Sequence, residues 1–141
     1  MALTLSEDAK NEFLDEIDQN YITKVWATIV LCTPKMLAYA IDPKPKRMQW
    51  MNTYAYIGLT ETHFNIVTLS SLNVTVPTGR FSIPFQDIEQ LDILKKALKY
   101  VVTFKLQGEL VRINFSLTAI GINVKDQLRN VQMLIEKLEE K

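Results

Sequence analysis

The amino-acid sequence predicts an α+β protein that is mainly β. The expected form is a partly open antiparallel barrel of about seven short strands, capped by a C-terminal helix, with one or two extra N-terminal helices. Three observations predict it. Short apolar or alternating runs fill the middle of the chain, separated by brief turn-forming stretches. Gln107-Gly108 joins two alternating segments whose apolar residues share one face. Val124, Leu128, Val131, Ile135 and Leu138 then recur at helical spacing, a stripe suited to closing an open barrel end.

The elements follow in order. Ser6 is a good N-cap, with Glu7 and Asp8 well placed in a first turn, and Ala9, Phe13, Leu14 and Ile17 extend a helix over 6–18. Ile22, Val25, Trp26, Ile29 and Val30 also follow helical spacing, although their β-branched content favours strand; Pro34 ends the segment. Met36 to Ile41 reads as a short strand. Tyr54–Thr60 and His63–Ser70 form a hairpin about Glu61-Thr62, pairing Leu59 with Phe64, Ile57 with Ile66 and Ala55 with Thr68. Val74 and Val76 mark a short strand, Pro77-Thr78-Gly79 a turn, and Phe81, Ile83 and Phe85 an alternating strand. Pro84 places that strand at an edge or an end. Ile88–Leu94 is a further strand. The last hairpin opposes Phe104 to Val111, Val102 to Ile113 and Tyr100 to Phe115, with Lys105–Leu110 and Thr103–Arg112 on the other face. Asn123 is the expected cap of the final helix.

Composition narrows the function. The 141 residues are 48% apolar and 23% charged, which excludes disordered and low-complexity classes. Sixteen basic residues balance sixteen acidic ones, so no broad positive field serves nucleic acid. The charge is unevenly spread: residues 1–20 carry six acids and one base, and residues 21–50 five bases and one acid. This split points to residues 1–50 as the functional part, with an acidic helix meeting a basic segment within or between subunits. Met1 to Asp8 has no basic start and no apolar run, unlike a secretory signal, and Val25–Cys32 is too short to span a membrane. A cytoplasmic location is the expectation.

Catalytic sets are scarce. With one cysteine, Cys32, and one histidine, His63, neither a thiolate metal cluster nor a His-Glu-x-x-His helix can form. The glycines are too widely spaced for a phosphate loop. A Cys32–His63 nucleophile pair is the residual enzymatic candidate. The expectation is therefore a non-enzyme without metal or cofactor.

Two stretches carry a family resemblance. Tyr56-Ile-Gly-Leu-Thr-Glu-Thr-His-Phe-Asn-Ile-Val67 resembles the aliphatic-x-Leu-Thr-x-x-x-Phe/Leu-x-aliphatic stretch of bacterial pleckstrin-homology-like (PH-like) and GRAM domains. Ile83-Pro-Phe-Gln-Asp-Ile-Glu-Gln-Leu91 is similar to their Ile-Pro-hydrophobic-x-x-Ile-x-x-aliphatic signature. The resemblance covers about residues 36–139, and implies a PH-like barrel over 36–141 with its capping helix, preceded by a helical extension over 1–35. It also implies a binding or scaffolding module, some stand-alone members of which form oligomers; it implies little about a ligand.

On this reading the protein works by protein–protein contact, self-assembling as a homo-oligomer or binding another protein. Ile22, Val25, Trp26 and Ile29 are the candidate contact surface, since an apolar helix outside a complete barrel needs a partner. The alternative is an anionic-ligand or membrane-surface binder using Lys44, Lys46, Arg47 and Trp50, although three bases fall short of a full lipid-reading cluster. Lys95, Lys96 and Lys99 form a second small basic cluster, and Tyr39, Tyr54 and Tyr56 are candidate pocket-lining residues.

Overall fold

A computed structural model describes residues 4–42, 48–120 and 122–140. Helix α1 (Glu7–Asp15) is followed by strand β1 (Thr23–Leu31) and a 3-10 helix (Pro34–Tyr39). Strands β2 (Met51–Leu59), β3 (His63–Leu69) and β4 (Pro77–Pro84) come next, then a 3-10 turn (Phe85–Asp87). Strands β5 (Glu89–Lys96), β6 (Lys99–Leu106) and β7 (Glu109–Ser116) precede helix α2 (Gln127–Glu139). The strands form one antiparallel sheet in the order β4-β3-β2-β1-β7-β6-β5, so β4 and β5 are its edges. The arrangement is consistent with a PH-like α+β fold.

The sheet curls until its halves meet. Phe64 of β3 touches Phe104 of β6 with ring centroids 5.8 Å apart, and Val25, Ile57, Ile66, Val102 and Ile113 fill the space around them. Helix α2 lays Val131, Leu134, Ile135 and Leu138 into this core. Both expected hairpin registers are observed, including Ile57 with Ile66 and Phe104 with Val111. Gln107 and Gly108 both take positive φ, as a tight hairpin turn demands.

A second apolar cluster lies on the outer face of β1–β3. Leu14 of α1 packs there with Trp26, Tyr56, Val67 and Leu69. These strands are thus buried on both faces, and a strand covered on both faces loses its period-two alternation. This is why residues 22–30 mimic a helix. They are instead β1, a central strand between β2 and β7, so the sheet includes residues expected in a helical extension. Among the described residues α1 is the one helix before the sheet.

Other expectations are corrected locally. Residues 36–41 do not form a strand: Thr33 accepts a hydrogen bond from the Lys35 N–H, and Pro34 opens a 3-10 helix. Val74 and Val76 sit in a turn, and Pro77-Thr78-Gly79 begins β4 rather than preceding it. Pro84 does end that edge strand. The final helix starts at Gln127 behind a left-handed Asp126, so Asn123 is no cap. Val124 joins the second cluster, Leu128 is half exposed and Leu134 takes its place in the core.

Glu7 and Asp15 of α1, and Glu16 just after it, are met by bases within the chain. Asp15 pairs with Lys24 at 3.3 Å, and Glu16 with Arg80 at 3.2 Å. Glu7 holds the buried Lys10 ammonium at 2.9 Å and accepts the Lys125 N–H, tying α1 to the segment before α2. Burial raises the Glu7 pKa, but the Lys125 N–H and the Lys10 ammonium outweigh it and hold the carboxyl below its usual 4.5. Stability from this depression is full above the unfolded pKa and is lost as pH falls through the lower folded value. Glu7→Gln is therefore expected to cost about 1–2 kcal/mol at pH 7, with the deficit shrinking below pH ~4.5, checked by thermal unfolding against pH.

Candidate functional site

The two sheet edges differ. Along β4, Ala40 forms a bridge to Phe81, and the Ile41 N–H donates to the Arg80 carbonyl at 2.8 Å, so neighbouring chain covers that edge. No strand or bridge among the described residues covers the outer edge of β5. Gln90 has φ +52°, and the β5–β6 register shifts between Glu89 and Asp92, which kinks the start of the strand. From Asp92 to Lys96 the ladder with β6 is regular.

This regular stretch exposes Asp92, Leu94 and Lys96, while Leu91 and Ile93 pack against the core. Leu94 is 48% exposed although its neighbour on β6, Val101, is half-buried. At the hairpin tip Ala97 takes a positive φ and Leu98 is 66% exposed. The expected basic cluster sits here: Lys96 lies directly opposite Lys99, and the Lys95 ammonium lies 6.0 Å from the Tyr100 ring centroid. Asp92 and Lys96 make no ion pair among the described residues. A groove of about 640 Å³ runs beside the strand, between Leu91, Asp92 and Ile93 and the α2 residues Leu138 and Glu139. The site therefore offers free backbone donors and acceptors, an exposed leucine and charges of both signs in a row.

The other candidates fall elsewhere. Val25 and Ile29 are fully buried in the main core, and Trp26 lies in the second cluster. Ile22 is half-buried before β1, its N–H donating to the Leu59 carbonyl at 2.7 Å. Val25, Trp26 and Ile29 are thus buried, because their segment is a central strand and not an outer helix. Lys44, Lys46 and Arg47 lie outside the described residues. Trp50 is half-buried against the main core, and its carbonyl accepts the Cys32 N–H at 2.9 Å.

Cys32 and His63 do not form a pair. Burial pushes the Cys32 thiol up to about 12, so it is protonated at neutral pH, and its contact is the Gln49 carbonyl. His63 Nδ1 lies 2.7 Å from the Thr62 hydroxyl at the β2–β3 hairpin. The three tyrosines take separate partners: Tyr39 donates to Asp87 at 3.1 Å, Tyr54 packs on Trp26, and the buried Tyr56 hydroxyl accepts the Ser6 N–H. No helix among the described residues is long and apolar enough to cross a membrane.

No family model matches the chain, and no curated protein matches it either.

The β5 edge was partly visible in the sequence. Ile88–Leu94 reads as a strand, but edge position depends on which strands pair across the sheet. The available signal is Glu89, Asp92, Lys95 and Lys96 within one strand, since charge along a strand is how an edge is marked.

Proposed function

We propose that this protein is a non-catalytic PH-like module of the cytoplasm that works by protein–protein contact and self-assembles. The observation that carries this reading is the uncovered β5 edge, set against the covered β4 edge of the same sheet. Unpaired strand edges are templates for pairing with another chain, and proteins that stay monomeric block them with prolines, kinks or a covering segment. Here the kink at Gln90 blocks only the start of β5 and leaves the Asp92–Lys96 stretch open.

Contact at this edge is sensitive to one substitution. Leu94→Lys puts a further charge on the exposed face of the edge without touching the core. Self-association measured by size-exclusion chromatography is expected to weaken at least about tenfold. Equal elution of the variant and the parent across concentrations would place the contact elsewhere.

A further inference from the structure

The β5 edge is complementary to itself. The β5–β6 hairpin turns through Ala97-Leu98 and closes on the Lys96–Lys99 pair, so those two residues exchange backbone hydrogen bonds. Bonded and non-bonded pairs alternate along an antiparallel ladder. The backbone groups of Lys96, Leu94 and Asp92 therefore point to β6, and those of Ile93 and Lys95 point outward to the open edge. Any strand added there must bond to Ile93 and Lys95.

We infer that β5 pairs antiparallel with β5 of a second copy of this chain, about a two-fold axis at Leu94. The inference rests on the self-assembly reading above and names its contact. In this register Ile93 exchanges backbone hydrogen bonds with Lys95 of the partner subunit, and the symmetric pair does the same. The exposed face then matches residue for residue. Leu94 lies against Leu94 of the partner subunit, and Asp92 lies opposite Lys96 of the partner subunit, on both sides of the axis. Asp92 and Lys96 have no ion pair within the chain among the described residues, and Lys96 faces the like charge of Lys99. A carboxylate delivered by the second copy relieves that repulsion, as opposite charges across a ladder are stabilising and like charges are not.

Neighbouring registers fit less well. Moving the axis to Ile93 sets Leu94 against Asp92 of the partner subunit, and moving it to Lys95 sets Leu94 against Lys96 of the partner subunit. On the exposed face both strand the leucine against a charge, whereas the axis at Leu94 places its one apolar–charge contact, Ile93 across from Lys95 of the partner subunit, on the opposite face. Only the axis at Leu94 joins leucine to leucine and acid to base, which is the self-complementarity an isologous dimer requires.

Disulfide trapping of the full chain tests this. A non-bonded cross-strand pair has Cα atoms about 4.5 Å apart, within disulfide range. Leu94→Cys is expected to convert most of the chain to a covalent dimer under mild oxidation. Asp92→Cys and Lys96→Cys are each expected to stay monomeric on a denaturing gel and to cross-link when mixed, because like positions in this register lie about 13 Å apart. Cys32 is buried, so it stays silent. All three positions are exposed, and each variant's thermal unfolding is checked against the parent. A chain that is dimeric by mass but does not cross-link through Leu94→Cys, or does so through Asp92→Cys alone, overturns this register and leaves self-assembly standing. A chain that is monomeric at every concentration overturns both.

Discussion

Gln127→Ala is expected to destabilise the fold by about 3–4 kcal/mol. Gln127 is 3% exposed at the first position of α2. Its Nε2 donates to the Trp26 and Ser116 carbonyls, each at 2.9 Å, and its Oε1 accepts the Trp26 N–H at 3.3 Å. These partners identify its role. The β1–β7 ladder pairs Thr28 with Asn114, and Trp26 and Ser116 stand two residues further along that register without pairing. The strands have parted there, and the carboxamide fills the gap in place of the missing ladder bonds. Alanine leaves buried backbone groups with no partner, each costing about 1–3 kcal/mol. Denaturant unfolding checks it, with Gln132→Ala on the exposed face of α2 expected within about 0.5 kcal/mol of the parent. Equal midpoints for the two variants would refute the bridging role.

Gly58→Val is expected to cost about 3 kcal/mol, for a different reason. A Cβ at Gly58 would lie 2.5 Å from Cε1 and 2.6 Å from Cδ1 of Tyr21. The tyrosine is not free to swing away, because its hydroxyl donates to the Leu14 carbonyl and accepts from Asn65 Nδ2 at 3.2 Å. Burial pushes its pKa up to about 12, so the phenol keeps its proton. Tyr21 fastens the end of α1 to β2 and β3, and displacing it loosens α1 from the sheet. The expected signature is faster amide exchange in α1 with the main core still protected. Unchanged exchange in α1 would show that Tyr21 is not the fastener.

How legible these features are in the sequence depends on how local their causes are. The β6–β7 hairpin can be read directly, because Gln107-Gly108 favours the turn and the flanking residues alternate over one buried face. Strand β1 cannot, because Val25, Ala27 and Ile29 face the core while Trp26 faces α1. Burial on both faces erases the alternation that separates strand from helix. The start of α2 is misplaced in the sequence reading because Val124 is apolar for the second cluster and not for the helix. Gln127 carries no sequence signal, as one more polar residue at the start of an amphipathic helix. The site shares this limit: the strand character of β5 is local, whereas its position at the edge follows from β7 pairing with β1.

The claim that this module works by pairing with itself is tested most directly by its molar mass in solution, measured by light scattering across a wide concentration range. The expected result is a mass approaching twice the 16.2 kDa of one chain at high concentration and falling on dilution. A constant 16.2 kDa at every concentration would contradict the account.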